Sequence, residues 1–143
     1  MRQLGVAIIG CGLIGRKRAS SLGPARLVAC VDLSIDRAKS IAAEYPGCTS
    51  AVDWKSVLGR SEVDIVIVAT SNDLLADLTL AAVTAGKHVL VEKPAGRNAQ
   101  ELRAVLHAVE GSSSLVRVGF NHRYHPAVLK ARELIKDNRI GER

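Results

Sequence analysis

The feature that most constrains this chain is a rhythm. Short runs of β-branched and aliphatic residues alternate with segments of helical length. The runs at 6–9, 27–31, 65–69, 88–91 and 115–118 are four or five residues long and almost free of polar positions. A half-buried strand alternates apolar and polar residues, whereas a run apolar throughout belongs to a strand covered on both faces, as in a parallel sheet.

The intervening segments carry helix punctuation. One helix is predicted over 14–22, closed by Gly23-Pro24. A second starts behind Ser34 as a capping residue and runs to Glu44, where Tyr45-Pro46-Gly47 stops it. A third strand is placed at 48–50, followed by a short helix, 54–58, capped by Asp53. The segment 73–85 reads as a helix with Leu74, Leu78, Ala81, Ala82 and Ala85 on one face and Gly86 as its terminator. Asn98 caps a helix through Val109, with Ala99, Leu102, Leu106 and Val109 on one side. Pro126 opens a last helix reaching Lys136.

Strand and helix in regular alternation, with short connections, imply a parallel sheet with right-handed crossovers. Six strands suffice for a three-layer, doubly wound α/β domain, the Rossmann plan of two mononucleotide-binding halves. Composition agrees. Hydrophobic residues are 48% of the 143 and aromatic ones 3%, so the core must be built of Ala, Val, Leu and Ile.

Several function classes recede. The formal net charge is +6, and the segment from Arg117 onward holds seven Lys or Arg against three Asp or Glu. That basic tail lacks interleaved aromatics, zinc spacing and any single-sign run, so nucleic acid is not the expected partner. No apolar run reaches the roughly 18 residues of a membrane span, and glycines break the first apolar run, which makes a poor signal peptide. Cys11, Cys30 and Cys48 are widely spaced, odd in number and form no CxxC. Free thiols in a reducing cytoplasm are expected.

The turn after the first strand is Gly10-Cys11-Gly12-Leu13-Ile14-Gly15. A GxGxxG is weak evidence alone, but this one follows a strand, opens a helix and precedes an acidic residue at the next strand's end. Gly10 would permit the tight turn, Gly12 would let backbone approach a pyrophosphate, and Gly15 would allow close helix–strand packing. The pyrophosphate would sit on the N–H groups of the first helical turn. Asp32, 22 residues after Gly10, would accept hydrogen bonds from the adenosine ribose hydroxyls. Its charge would repel a 2′-phosphate, so NAD is expected rather than NADP. Arg37 lies near enough to accommodate that phosphate and is a further cofactor-binding candidate.

Glu92-Lys93-Pro94 follows the fifth strand, at the edge where open α/β sheets place their ligand crevice. An ammonium there can hydrogen-bond a substrate hydroxyl and favour its alkoxide, although a solvated lysine before a proline is the plainer alternative. His122 and His125 lie in a polar segment on the same edge and read as surface or substrate-contact groups. His88 and His107 read as structural.

Taken in order, the glycine turn, Asp32, Ala69-Thr70, Ala85-Gly86-Lys87-His88-Val89, Glu92-Lys93-Pro94 and Val118-Gly119-Phe120-Asn121-His122-Arg123 resemble the glucose–fructose oxidoreductase/inositol dehydrogenase/rhizopine catabolism family over essentially the whole chain. The resemblance implies an NAD(P)-dependent oxidoreductase acting on a sugar, polyol or sugar nucleotide. It implies Lys93 as the catalytic contact to the reacting hydroxyl, Glu92 by the nicotinamide end, and Thr70, Ser71 and Asn72 along the dinucleotide. Asn121 and Arg123 would then lie near nicotinamide and substrate. Many members carry Thr-Pro-Asn and then a His three residues on, whereas this chain has Thr70-Ser71-Asn72 and then Leu75, which puts any contact from that His in doubt.

The resemblance also implies a second α/β domain supplying an Asp and a His for proton transfer. By it, 1–120 is the Rossmann domain, and 121–143 is a connecting segment and helix leading to a domain that would begin near Gly141-Glu142-Arg143. The expectation is a fragment that binds cofactor without turnover, monomeric or weakly associated, from a protein that is homo-oligomeric at full length. A non-catalytic dinucleotide sensor or an interaction module are the alternatives.

Overall fold

The computed structural model describes residues 2–141. Its centre is one six-stranded sheet in the order β3-β2-β1-β4-β5-β6, with every neighbouring pair parallel. The strands are β1 (Gly5–Ile9), β2 (Arg26–Val31), β3 (Thr49–Ala51), β4 (Ile65–Val68), β5 (His88–Val91) and β6 (Val116–Val118). The helices are α1 (Leu13–Ala19), α2 (Ile35–Ala42), α3 (Lys55–Leu58), α4 (Leu75–Thr84), α5 (Ala99–Glu110) and α6 (Pro126–Lys136), with a 3-10 turn at Asn121–Tyr124. This is the doubly wound three-layer order expected from the alternation. The chain reverses its direction of travel across the sheet between β1 and β4, which opens a crevice at their carboxyl ends.

Successive residues of a strand point to opposite faces, and β1 shows why its run is apolar throughout. Val6 and Ile8 pack on one side with Leu27, Cys30, Ala38 and Ile41, against α1 and α2. Ala7 and Ile9 pack on the other with Val66, Val68, Leu75 and Leu78, against α4.

The predicted elements all occur, with ends moved by a few residues. The helix predicted over 14–22 ends at Ala19: Ser20 N–H makes the last α-helical bond, to Arg16 O, and the chain then tightens through Ser21 N–H to Arg18 O. The second helix ends at Ala42 rather than Glu44, the chain tightening through Glu44 N–H to Ile41 O and Tyr45 N–H to Ala42 O. Ser34 stands at the N-cap of α2 but makes no side-chain cap bond; its N–H donates instead to Asp32 Oδ1 at 2.8 Å. Asn98 caps α5, its side chain accepting from Glu101 N–H at 3.0 Å.

Two helix faces differ from expectation. In α4 the buried set is Leu75, Ala76, Leu78, Thr79, Ala82 and Val83, while Leu74 is exposed. The segment is apolar nearly all round, so spacing alone could not fix which stripe faces inward. In α5 the buried residue is Val105, with Ala108 and Val109 packed against the core, whereas Leu102 and Leu106 are exposed. α6 buries no side chain. The expected start of a further domain falls partly on Glu142 and Arg143, outside the described residues.

Candidate cofactor site

The glycine turn sits where the sheet changes direction. Gly10 has φ +98°, and a Cβ there would lie 2.4 Å from Ala69 O and 2.8 Å from Thr70 N. The turns after β1 and β4 are therefore in backbone contact, which only glycine permits at that φ. A Cβ on Gly15 would lie 2.0 Å from Gly10 O, so α1 can approach β1 only because that side chain is missing. Gly12 differs: nothing lies within 4 Å of a Cβ built there. The protein's own packing does not require glycine at Gly12, and the free space lies over the start of α1. Helix α1 has no side-chain cap and no acidic residue in its first turn. An uncapped first turn beside an open glycine is an arrangement into which a pyrophosphate fits.

Asp32 follows β2. Its Oδ2 accepts from Cys11 N–H and its Oδ1 from Ser34 N–H, both at 2.8 Å. One carboxylate thus ties the glycine turn to the start of α2. Each oxygen keeps a further lone pair, enough to accept from the two hydroxyls of a ribose.

Beside Asp32 lies a cavity of about 480 Å³, lined by Gly10, Gly12, Asp32, Ser34 and Arg37 on one side and by Ala69, Thr70 and Ser71 on the other. Leu33, Val52, Trp54, Leu74 and Leu78 give it apolar walls. A second, more open hollow between α1 and α2 is lined by Cys11, Gly12, Leu13, Arg16, Asp36, Arg37 and Ser40. Gly12 and Arg37 border both. The candidates Gly10, Gly12, Asp32, Arg37, Thr70 and Ser71 therefore share one cavity rim. Leu13 and Ile14 project outward at the start of α1, 70% and 41% exposed. Asn72 is exposed on the loop before α4, outside the cavity lining.

Sequence reasoning missed the apolar walls. Leu33 is 89% exposed, and that exposure could have been suspected from an apolar residue placed between Asp32 and the helix start. Leu74, assigned above to the buried face of its helix, faces this cavity instead. Trp54, the chain's single tryptophan, had no local signal marking it as part of the site.

The other group of candidates lies across β4. Glu92 follows β5, and its carboxylate pairs with Arg18 of α1, the Nε donating at 2.6 Å. Gly119 at the end of β6 packs against both side chains, and its N–H donates to Val91 O. Glu92 is 12% exposed, so it braces β5, β6 and α1 together. No spacing rule links Arg18 to Glu92 across a separation of 74 residues. Lys93 is exposed, and its peptide bond to Pro94 is cis. Asn121, His122 and Arg123 are exposed in the 3-10 turn.

His125 Nδ1 accepts from Ala127 N–H at 3.2 Å and caps α6. His88 Nδ1 accepts from Leu115 N–H at 3.0 Å, a structural role as expected. Among the described residues no cluster of three His, Cys, Asp or Glu is arranged to hold a metal, and no helix is long and apolar enough to cross a membrane.

The sheet order, the crevice at the turn and the carboxylate beside it define a dinucleotide-binding Rossmann domain. Residues 4–120 match the GFO_IDH_MocA family, described as an oxidoreductase family with an NAD-binding Rossmann fold, and the chain belongs to that family. It is 35% identical to inositol 2-dehydrogenase 2 of Saccharopolyspora erythraea, over 96% of this chain and 42% of that protein. It is 31% identical to levoglucosan dehydrogenase of Pseudarthrobacter phenanthrenivorans, over 99% of this chain and 39% of that one. Among solved structures, levoglucosan dehydrogenase in complex with NADH and levoglucosan superposes with a TM-score of 0.88 at 30% identity, covering 99% of this chain and 41% of that one. The myo-inositol 2-dehydrogenase of Lactobacillus plantarum shares the fold, with a TM-score of 0.92 at 23% identity, over 99% of this chain and 43% of that one. The chain thus spans about two fifths of the length of these relatives.

Proposed function

We propose that this chain is the cofactor-holding part of an oxidoreductase that moves a hydride between NAD and a CH–OH group of a sugar, polyol or sugar nucleotide. The observation that carries the reading is Asp32: a carboxylate fixed by two backbone N–H groups at the rim of a cavity sized for an adenosine. In this reading residues 1–120 are the binding domain, and 121–143 connect it to the remainder. NAD is preferred over NADP because the Asp32 carboxylate would meet a 2′-phosphate as like charge against like. Arg37, on the same rim, would soften that discrimination.

When bound, the dinucleotide supplies the hydride acceptor. The chain's own residues bind and orient. Gly12, Leu13, Ile14 and Gly15 offer backbone N–H groups to the pyrophosphate. Thr70, Ser71 and Asn72 line the path toward the nicotinamide, and Glu92 and Asn121 stand at its far end. Lys93 is the catalytic residue: its ammonium donates a hydrogen bond to the reacting hydroxyl oxygen and stabilises negative charge developing there. The partners are small hydroxylated molecules rather than nucleic acid or membrane. The longer protein is homo-oligomeric and this chain monomeric or weakly associated. The free thiols support a cytoplasmic setting.

Trp54 lines the cavity, so NADH binding should quench its emission. The expected result is quenching by NADH at lower concentration than by NADPH, a preference that narrows or inverts in Asp32→Ser. Tighter NADPH binding by the unaltered chain would overturn the assignment. The chain alone should not reduce NAD with myo-inositol or levoglucosan, because positioning groups supply much of an enzyme's rate.

A further inference from the structure

All three cysteines converge beneath the glycine turn, although they stand at positions 11, 30 and 48. Cys30, on β2, is wholly buried and lies between the other two. On one side it neighbours Cys11, whose Sγ donates to Val31 O at 3.4 Å and whose N–H donates to Asp32. On the other side its Sγ is 3.8 Å from Cys48 Sγ. Cys48 is half-buried and lies just outside the ladder, which begins at Thr49.

We propose that Cys30 and Cys48 are a thiol–disulfide pair whose oxidation by a hydroperoxide weakens dinucleotide binding at the adjacent turn. The first half of this stands on the thiols alone, and the second rests on the reading of the turn as a dinucleotide site. Cys48 is the entry point. It is the most exposed thiol of the three, Cys11 and Cys30 both being buried, and a hydrogen bond from the Cys30 thiol, with the Arg60 charge assisting, lowers its pKa. Thiolate character together with access is what selects a cysteine for peroxide.

The Cys48 thiolate attacks one peroxide oxygen, and the O–O bond breaks. The Cys48 sulfur becomes sulfenic acid, and the alcohol or water leaves with the other oxygen. Cys30 Sγ then attacks Cys48 Sγ, the S–O bond breaks, and the departing hydroxide takes the Cys30 proton as water. Two thiols lose two electrons and two protons, and the peroxide is reduced by two electrons.

A disulfide needs the sulfurs about 2.05 Å apart, so Cys30 and the turn bearing Cys48 must close on each other. Cys30 cannot move toward Cys48 without leaving Cys11. Cys11 lies between Gly10 and Gly12 and donates to Asp32, while Asp32 follows Cys30 by two residues. Oxidation on one side of Cys30 therefore disturbs both elements that hold the ribose and pyrophosphate.

The test is to treat the chain with hydrogen peroxide, count free thiols after denaturation, map the disulfide by mass spectrometry and titrate NADH. Free thiols should fall from three to one, with a Cys30–Cys48 link within one chain and NADH affinity reduced by about fivefold or more, both reversed by dithiothreitol. Cys11→Ser should still form the link, and Cys48→Ser should make NADH affinity indifferent to peroxide. Three thiols surviving, a Cys48 link between chains, a terminal sulfinic acid at Cys48, or a disulfide without loss of affinity would each overturn the proposal. A reduced chain that binds no NADH would overturn the dinucleotide reading and the coupling with it, while the thiol map still decides the pair.

Discussion

The two ends of the crevice are built differently. At the β2–β1–β4 end a half-open cavity is lined by this chain's own residues, from the glycine turn, the residues after β2 and β3, and the loop leading into α4. At the β5–β6 end Lys93, Asn121, His122 and Arg123 stand exposed, and the helix that follows buries nothing. The difference is one of dielectric as well as shape. Two unit charges 4 Å apart interact by about 1 kcal/mol in water and about 4 kcal/mol at the effective dielectric of a protein surface. A lysine in open water has little power to stabilise a developing alkoxide, so the role proposed for Lys93 would require cover that these residues do not provide. In the proposed reading, recognition of the adenosine half is local to this domain, whereas the chemistry assigned to Lys93 would depend on cover over that exposed edge.

The largest expected effects separate packing from binding within one turn. Gly15→Ala places a methyl 2.0 Å from the Gly10 carbonyl oxygen, and forcing backbone apart in this way should destabilise the fold by about 3 kcal/mol. Gly12→Ala meets nothing, so its denaturation midpoint should stay near that of the parent while NADH quenching of Trp54 is lost. Equal damage to stability from both, with binding retained at Gly12→Ala, would mean the open space does not hold the pyrophosphate. Next in size is Arg18→Ala. It leaves the mostly buried Glu92 carboxylate without its partner, at a cost of about 2 kcal/mol by urea unfolding. The comparison predicts that ADP-ribose, which carries the adenosine and pyrophosphate but no nicotinamide, binds Arg18→Ala as well as it binds the parent. Lost ADP-ribose affinity would show the two ends to be coupled.

The sequence made the first end partly legible and the second hardly at all. Gly10, Gly15 and Asp32 announce themselves because each answers a local demand: a positive φ, a helix–strand contact, a carboxylate at a strand end. The walls contributed by Leu33, Val52, Trp54 and Leu74 come from segments brought together only by the sheet order, and no spacing rule connects them. Leu74 was misplaced because α4 offers apolar residues in every direction, and burial there is settled by what lies across the interface. The Arg18–Glu92 pair spans 74 residues, and the convergence of three cysteines depends on β2 lying between β1 and β3. Propensity and pattern report what a segment needs. They do not report which distant segment supplies it.

The smallest effect tests the comparison with a site belonging to neither end. Asp64 stands at the amino edge of β4, where its Oδ2 accepts from Gly5 N–H at 2.7 Å and Arg2 pairs with Oδ1. Those partners, the backbone N–H foremost, hold its carboxyl below the ordinary carboxylate pKa. A depressed folded pKa contributes stability that is present above the unfolded value of roughly 3.9 and is lost as pH falls through the folded one. Asp64→Asn should therefore lower the thermal midpoint at pH 7, by the equivalent of about 1 kcal/mol for a charge-assisted bond to backbone. The gap between variant and parent should close on acidification below pH 4. NADH and ADP-ribose affinities at pH 7 should be unchanged, because β4 reaches the crevice only at its opposite end. A substitution here that altered either ligand would mean that the strand transmits strain along its length, and the two ends of the crevice would then share one mechanical frame.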